Sequence, residues 1–185
     1  MFVKAGKMYN RPMRNNQWLE NRLDLIWNRH FFDIEKKNPI LIQFGKRART
    51  RLGSIRQVNG KRFIVNGSDK NIRSSINHEP SIVTITGYFI DEIVPEYVVD
   101  LVIAHELCHY AHGFCSSHPQ LYKNPHQGKV IDKELYKRGF GEEVKKQKAW
   151  LKESWPTIIG LPKRRIIVRK KYAKLNLLKF LNPNF

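Results

Sequence analysis

The sequence predicts an α+β fold in which helices at both ends of the domain enclose a group of strands. Three observations lead to this prediction. Apolar residues recur at helical spacing near the N-terminus, and short apolar, β-branched segments separated by turn residues follow. A largely apolar segment then begins after Pro95, and its composition is typical of a buried helix.

The N-terminal elements follow from these patterns. Residues 16–32 predict an amphipathic helix, and residues 40–44, after Pro39, are long enough for one strand. Asn59-Gly60 separates residues 52–58 from residues 61–65, and this dipeptide between two apolar segments is the strongest short-range signal for a hairpin. We expect residues 68–78 to form a polar loop and residues 81–86 to form a further strand.

The C-terminal half predicts three more helices. The first begins at Pro95, where Glu92 and Glu96 suit the positive end of the helix dipole, and it ends at His112-Gly113. Residues 114–125 predict a loop, and residues 126–138 and 142–153 predict the other two helices. We expect one domain over residues 16–160, a basic arm at 1–15 and a basic tail at 161–185.

Composition excludes several classes of protein. No apolar run approaches the ~20 residues that cross a bilayer, and the N-terminus has no apolar signal segment, so we expect a cytoplasmic protein without a membrane partner. The two cysteines, Cys108 and Cys115, are too few for a disulfide scaffold and indicate a reducing compartment. We also expect a monomer.

Charge is distributed unevenly along the chain. The formal net charge is +18, but residues 74–122 contain no Lys or Arg and carry a net charge of −6, between two flanking segments of +12 each. Five of the seven histidines lie within residues 105–126, in and just after the acidic segment. This central segment therefore differs chemically from the rest of the chain.

The central segment contains the pattern H-E-x-x-H, formed by His105, Glu106 and His109. Four residues make about one helical turn, so both imidazoles project from one face and can bind one Zn²⁺ ion at about 2.0–2.1 Å. Glu106 lies slightly further round the helix, where it can accept a proton from a zinc-bound water. The pattern predicts a zinc site in which Glu106 acts as general base.

A catalytic zinc needs a third protein ligand. His112 is the weakest candidate, because seven residues of helix place it about 10.5 Å from His105 along the axis. His118 lies in the predicted loop, whereas His126 begins a predicted helix that can hold its side chain in position. We favour His126 and keep His118 as the alternative.

Together, residues 46–54 (KRARTRLGS), residues 98–109 (VVDLVIAHELCH), His126, Gly128 and Gly139-Phe140 resemble the SprT-like metallopeptidases and the related YgjP-type zinc peptidases. The resemblance covers about residues 18–142. It implies a minimal zincin-like domain with a small antiparallel sheet, and a zinc-dependent protease of protein or peptide substrates, some members cleaving proteins bound to DNA. Many members carry a C-terminal four-cysteine zinc ribbon; this sequence has no cysteine after Cys115, and we expect the basic tail to stand in the place of the ribbon.

The two basic flanks predict a nucleic-acid partner, bound without sequence specificity. Alternate arginines on a strand would share one face. The residues that we expect to contact nucleic acid are Arg47, Arg49, Arg51, Lys163, Arg164, Arg165, Arg169, Lys170 and Lys171. The alternative to a protease is a non-catalytic nucleic-acid-binding module with a structural zinc.

Overall fold

The computed structural model describes residues 13–58, 63–65, 68–70 and 79–161. Its helices are α1 (Asn16–His30), α2 (Glu96–Ala111), α3 (Val130–Lys137), α4 (Gly141–Glu153) and α5 (Trp155–Ile158). Its strands are β1 (Ile40–Phe44), β2 (Gly53–Gln57), β3 (Phe63–Val65), β4 (Ser68–Lys70) and β5 (Ser81–Ile85). The predicted α+β class is confirmed over this part of the chain.

The main sheet has the order β1-β5-β2 and is mixed. Strand β5 lies in the middle, and Val83 is opposite both Ile42 of the parallel strand β1 and Ile55 of the antiparallel strand β2. Four of the five β5 residues are buried, as expected for a central strand covered on both faces. The resemblance implied an antiparallel sheet, and the parallel pairing of β1 with β5 corrects it.

The predicted hairpin between residues 52–58 and 61–65 is wrong in its pairing. Strand β2 pairs with β5, whereas β3 pairs with β4 in the register Phe63↔Lys70 and Val65↔Ser68. The expected turn at residues 59–60 lies outside the described residues. The sequence has a second Asn-Gly pair, Asn66-Gly67, between β3 and β4, and it supplies an equal turn signal. Residues 68–70 are consequently strand rather than loop.

Helix α2 is the centre of the core. Eleven of its residues are buried, and it packs against α1, the sheet, α3 and α4. Its limits are the predicted ones, because Pro95 precedes its first residue and His112 follows its last. The backbone N–H of His112 donates to the carbonyl oxygen of Cys108 and caps the helix. Gly113 then reverses the chain at φ +80°, where a Cβ would lie 2.3 Å from the carbonyl oxygen of Pro119.

The helix predicted at residues 126–138 begins later than expected. Gly128 and Lys129 both have φ +58°, a left-handed conformation that an α-helix does not continue through. A short 3₁₀ turn therefore separates His126 from Val130, the first residue of α3. Helix α1 ends at His30, two residues before the predicted end, and α5 was not predicted.

The N-terminal boundary of the packed domain precedes α1. Arg14 is buried, donates to the carbonyl oxygens of Phe89 and Val94 at 3.3 and 2.8 Å, and lies 4.4 Å from the ring centroid of Trp18. Residues 1–12 of the predicted arm and residues 162–185 of the tail lie outside the described residues. Within the described part, no helix has both the length and the apolar character needed to cross a membrane.

Candidate metal centre

Helix α2 brings the side chains of His105 and His109 together. Their Nε2 atoms are 3.2 Å apart, and their ring centroids are 4.9 Å apart. Two nitrogens bound tetrahedrally to one zinc at about 2.0–2.1 Å would be separated by about 3.3–3.4 Å. The two imidazoles are therefore already spaced as ligands of one ion.

His126 completes a group of three imidazoles. Its ring centroid is 5.4 Å from that of His105 and 4.8 Å from that of His109. One ligand nitrogen from each of the three residues lies within 4.8 Å of the others. His126 is exposed and precedes α3, so a small rotation of its side chain can close the remaining separation. Three neutral imidazoles are a donor set that suits Zn²⁺.

The other two central histidines lie elsewhere. The Nε2 atom of His118 is 2.9 Å from the carbonyl oxygen of Glu35, and its ring packs edge-on against Tyr110. His112 is buried at the end of α2, with its Nε2 3.8 Å from Oε2 of Glu134. The structure thus groups His126, and neither His118 nor His112, with His105 and His109.

A buried asparagine fixes the loop between α2 and His126. The Asn38 amide donates to Oγ of Ser81 at 2.8 Å, and its Oδ1 accepts from the backbone N–H of Ser117 at 3.0 Å. The Oγ of Ser81 donates to the carbonyl oxygen of Cys115. Tyr110, one residue after His109, donates its hydroxyl to the carbonyl oxygen of Asn38 at 2.9 Å. Sequence analysis did not identify this network, because its members are far apart in the chain.

Burial keeps the imidazoles neutral. Desolvation, followed by the charge of His126, lowers the pKa of His105 to about 4. Desolvation, followed by the charges of His105 and His126, lowers the pKa of His109 to about 3. Both rings are therefore neutral at pH 7, with lone pairs available to a metal ion.

Glu106 lies beside the histidines in a dry environment. Its side chain is buried, and desolvation raises its pKa to about 7. The charge of Arg51 and a backbone hydrogen bond from Ile55 both act in the opposite direction and favour the carboxylate. A divalent cation at the three histidines would favour the ionised form further. The group is thus placed and tuned to exchange a proton near neutral pH.

Strand β2 approaches Glu106 so closely that only glycine fits. A Cβ at Gly53 would lie 2.6 Å from Cγ1 of Val102 and 2.7 Å from Oε1 of Glu106. Sequence analysis quoted Gly53 only as part of the family resemblance and assigned it no role. An isolated glycine in a strand pattern indicates close backbone approach, so a local signal was present.

An open cleft of about 450 Å³ exposes this group to solvent. The side chains of His105, Glu106, His109 and His126 line it on one side, and β2 residues Gly53 to Ile55 line the other. Because both the histidines and the carboxylate face the same cleft, a ligand entering it would meet all four side chains. Such a concave site with converging polar groups is typical of enzyme active sites.

The three candidate nucleic-acid residues within the described part lie in the loop between β1 and β2, not on a strand. Arg47 lies over the ring of Tyr88 at 5.6 Å, and the carbonyl oxygen of Arg49 accepts from Trp155 Nε1 at 3.0 Å. Arg51 lines the open cleft beside His105, Glu106 and His126. The expectation that they share one strand face is therefore wrong, although all three are exposed. The other six, Lys163, Arg164, Arg165, Arg169, Lys170 and Lys171, lie outside the described residues.

No protein-family model, curated protein or solved structure matches this chain.

Proposed function

We propose that this protein is a zinc-dependent metallopeptidase with a zincin-like domain. The observation that carries the proposal is the convergence of His105, His109 and His126 next to the buried carboxyl group of Glu106. The H-E-x-x-H pattern requires this arrangement for catalysis, and it also requires a third ligand from elsewhere in the chain. His126 supplies that third ligand.

In this proposal the three histidines bind the metal, and Glu106 transfers the proton. His105, His109 and His126 would hold one Zn²⁺ ion, which would supply Lewis-acid chemistry and lower the pKa of a water molecule. Glu106 would accept a proton from a water molecule as the water oxygen bonds to the peptide carbonyl carbon, and would give that proton to the amine that leaves when the C–N bond breaks. Gly53 and Ile55 keep the carboxylate of Glu106 in position from the side of β2.

The openness of the cleft favours catalysis over a structural role for the metal. Structural zinc sites have four protein ligands and exclude solvent, whereas catalytic sites have three and leave one position open. Within the described residues, three residues form the metal-binding group, and one of them, His126, is exposed. These features support the peptidase and count against the alternative, a non-catalytic module with a structural zinc.

The decisive experiment compares wild type with Glu106→Gln. We expect both proteins to bind about one zinc per chain, because Glu106 is not a ligand, and only wild type to hydrolyse casein. Glu153→Gln, an exposed change on α4, is the matched control and should retain wild-type activity. A wild-type protein that binds zinc and cleaves nothing, with or without DNA, would exclude the peptidase.

We further propose that nucleic acid is a partner of this enzyme and concentrates it on proteins bound there. Support comes from the net charge of +18 and from the exposed arginines Arg47, Arg49 and Arg51, of which Arg51 lines the cleft. Binding through phosphates should weaken at least about tenfold between about 50 and 200 mM salt. Fluorescence anisotropy of a labelled oligonucleotide measures this. An affinity for the oligonucleotide that does not change with salt would contradict the nucleic-acid proposal and leave the peptidase proposal unaffected.

A further inference from the structure

Arg51 lies between two adjoining spaces. It lines the open cleft of about 450 Å³ that contains the three histidines, and it also lines a neighbouring cavity of about 490 Å³ between α2, α3, α4 and the start of β2. His105 and Glu106 line both spaces as well, so the cavity begins at the candidate catalytic group. A substrate residue next to the bond to be cleaved would therefore lie within reach of Arg51.

The guanidinium of Arg51 is available to a ligand. Arg51 is exposed, and no residue in the described part of the chain forms a hydrogen bond or an ion pair with its guanidinium. The other permanent cation at the cavity, Lys148, differs in this respect, because its Nζ lies 3.7 Å from Oδ2 of Asp132. An anionic group that enters the cavity would therefore find Arg51 without a competing protein partner.

The chain on both sides of Arg51 is held in place by hydrogen bonds. The carbonyl oxygen of Arg49 accepts from Nε1 of Trp155 at 3.0 Å, and the carbonyl oxygen of Leu52 accepts from the backbone N–H of Thr86 at 2.9 Å. The backbone that carries the guanidinium is thus ordered before any ligand binds. This reduces the entropy that a ligand at Arg51 must offset.

The charge of Arg51 also acts on Glu106. Desolvation raises the pKa of the Glu106 carboxyl group, and the charge of Arg51 acts in the opposite direction. Such an effect requires the two groups to be near each other, since Coulomb interactions weaken with distance. A ligand group bound to Arg51 would therefore lie close to the candidate general base.

We infer that Arg51 binds a carboxylate of the substrate, so that the enzyme prefers an acidic group next to the cleaved bond. The inference rests on the proposed peptidase function and adds the class of substrate that the site selects. A guanidinium donates two parallel N–H···O hydrogen bonds to a carboxylate, and an amide of the same shape cannot accept both. The carboxylate can belong to an aspartate or glutamate side chain or to the C-terminus of a peptide.

The first test measures binding without cleavage. The zinc-loaded full chain carrying Glu106→Gln is titrated into three alanine heptapeptides labelled with an uncharged fluorophore. One has a central glutamate and an amidated C-terminus, the second a central glutamine and an amidated C-terminus, and the third a central glutamine and a free C-terminal carboxylate. We expect the first or the third to bind about tenfold more tightly than the second, and the tighter of the two identifies the source of the carboxylate. Equal affinities for all three would overturn the inference.

The second test removes the guanidinium. Arg51→Gln should lower the affinity for the preferred peptide about tenfold and leave that for the glutamine amide unchanged. Arg56→Gln is the matched control, because it removes the same charge from an exposed position on β2 that lines neither space, and it should retain the preference. Loss of the preference in both variants would show a general effect of net charge and overturn the inference.

Kinetics distinguish recognition of a carboxylate from stabilisation of the reacting group. With Glu106 intact, Arg51→Gln should lower kcat/KM about tenfold for the preferred peptide, mainly by raising KM, and should change it little for the glutamine amide. An equal fall of kcat with all three peptides would instead assign Arg51 to charge stabilisation during the reaction and overturn the inference.

The results separate this inference from the proposed functions. Cleavage that does not depend on an acidic group would overturn the carboxylate site and leave the peptidase intact. Binding that requires both Arg51 and a peptide carboxylate, in a wild-type protein that cleaves no peptide, would overturn the peptidase and support the carboxylate site. If Arg51→Gln weakens the binding of a labelled oligonucleotide and changes none of the peptide affinities, Arg51 binds phosphate and the inference is wrong.

Discussion

Gly53 of β2 lies directly against Glu106 of α2, with no room for a methyl group between them. A Cβ at residue 53 would be 2.7 Å from the carboxylate Oε1 and 3.2 Å from Cγ of Glu106. Atoms at such distances repel strongly, so either the strand or the carboxylate must move when any other residue replaces glycine. The strand therefore fixes the position of the proposed general base.

We predict that Gly53→Ala lowers peptidase activity at least about tenfold with little loss of zinc, because the displaced group is the proposed general base and not a proposed metal ligand. Casein hydrolysis and zinc content of the purified variant measure the two effects.

Gly141→Ala is a suitable control. Its Cβ would approach the ring of Tyr136 at 3.0 Å, and that side chain is about half exposed and can move. Equal loss of activity in both glycine variants would show that the effect at Gly53 is general destabilisation.

The third zinc ligand can be tested by comparing two histidines. We predict that His126→Ala loses most of the bound zinc, whereas His118→Ala retains it, since His118 faces the carbonyl oxygen of Glu35. Zinc affinity, measured by competition with a chelating dye, distinguishes them. Retention of zinc by His126→Ala together with its loss from His118→Ala would reverse the assignment.

The stability of the metal-free protein should depend on pH through the same histidines. Their pKa values are about 4 for His105 and about 3 for His109 in the folded state, against 6.5 when unfolded. Between these values the unfolded chain binds more protons, so stability falls as the pH decreases from about 6.5 to about 4. Urea unfolding at stepped pH, after chelation of metal, measures this slope.

Glu106 opposes that slope. Its folded pKa of about 7 exceeds the ordinary value of 4.5, so the folded state holds an extra proton between these pH values. The contribution of Glu106 to stability therefore decreases as the pH rises. Glu106→Gln should therefore steepen the increase in stability between about pH 4.5 and 6.5. A slope that is unchanged in this variant would argue against the raised pKa.

Arg138 connects the end of α1 to α3. Its buried guanidinium donates to Oε1 of Glu134 at 2.8 Å and to Oδ1 of Asp33 at 2.7 Å, and it lies 4.2 Å from the ring centroid of Phe31. We predict that Arg138→Met destabilises the fold by about 2–3 kcal/mol, because it removes the guanidinium that pairs with both Glu134 and Asp33. The melting temperature should fall by roughly 4–12 °C.

Lys145→Met provides the comparison for Arg138. Lys145 pairs with Glu142 at 2.8 Å, but both side chains are exposed, and such pairs contribute little to stability. A similar fall in melting temperature for both variants would contradict the structural role of Arg138.

Features that depend on neighbours in the sequence were predictable. The limits of α2 follow from Pro95 and Gly113, and β1 and β5 follow from apolar segments with turn residues beside them. The shared face of His105 and His109 follows from helical periodicity alone. Burial of α2 also follows, because a helix that is apolar on all sides has no other stable environment in water.

Strand pairing was less predictable. Two Asn-Gly pairs, at residues 59–60 and 66–67, offer equal local signals for a turn, and only packing against β5 selects the partner of β2. Likewise, left-handed backbone at Gly128 and Lys129 ends the helical pattern that the side chains suggest around His126. Periodicity does not report these backbone conformations.

The sequence by itself determined the motif helix, two candidate metal ligands and the adjacent carboxyl group, because a single helical turn sets their geometry. Only the tertiary structure brought His126 beside His105 and His109, placed Gly53 against Glu106 and formed the cleft that these side chains line. These features join residues that are distant in the chain, and the energy that brings them together comes from burying α2 between the sheet and α1, α3 and α4. No local pattern encodes that packing.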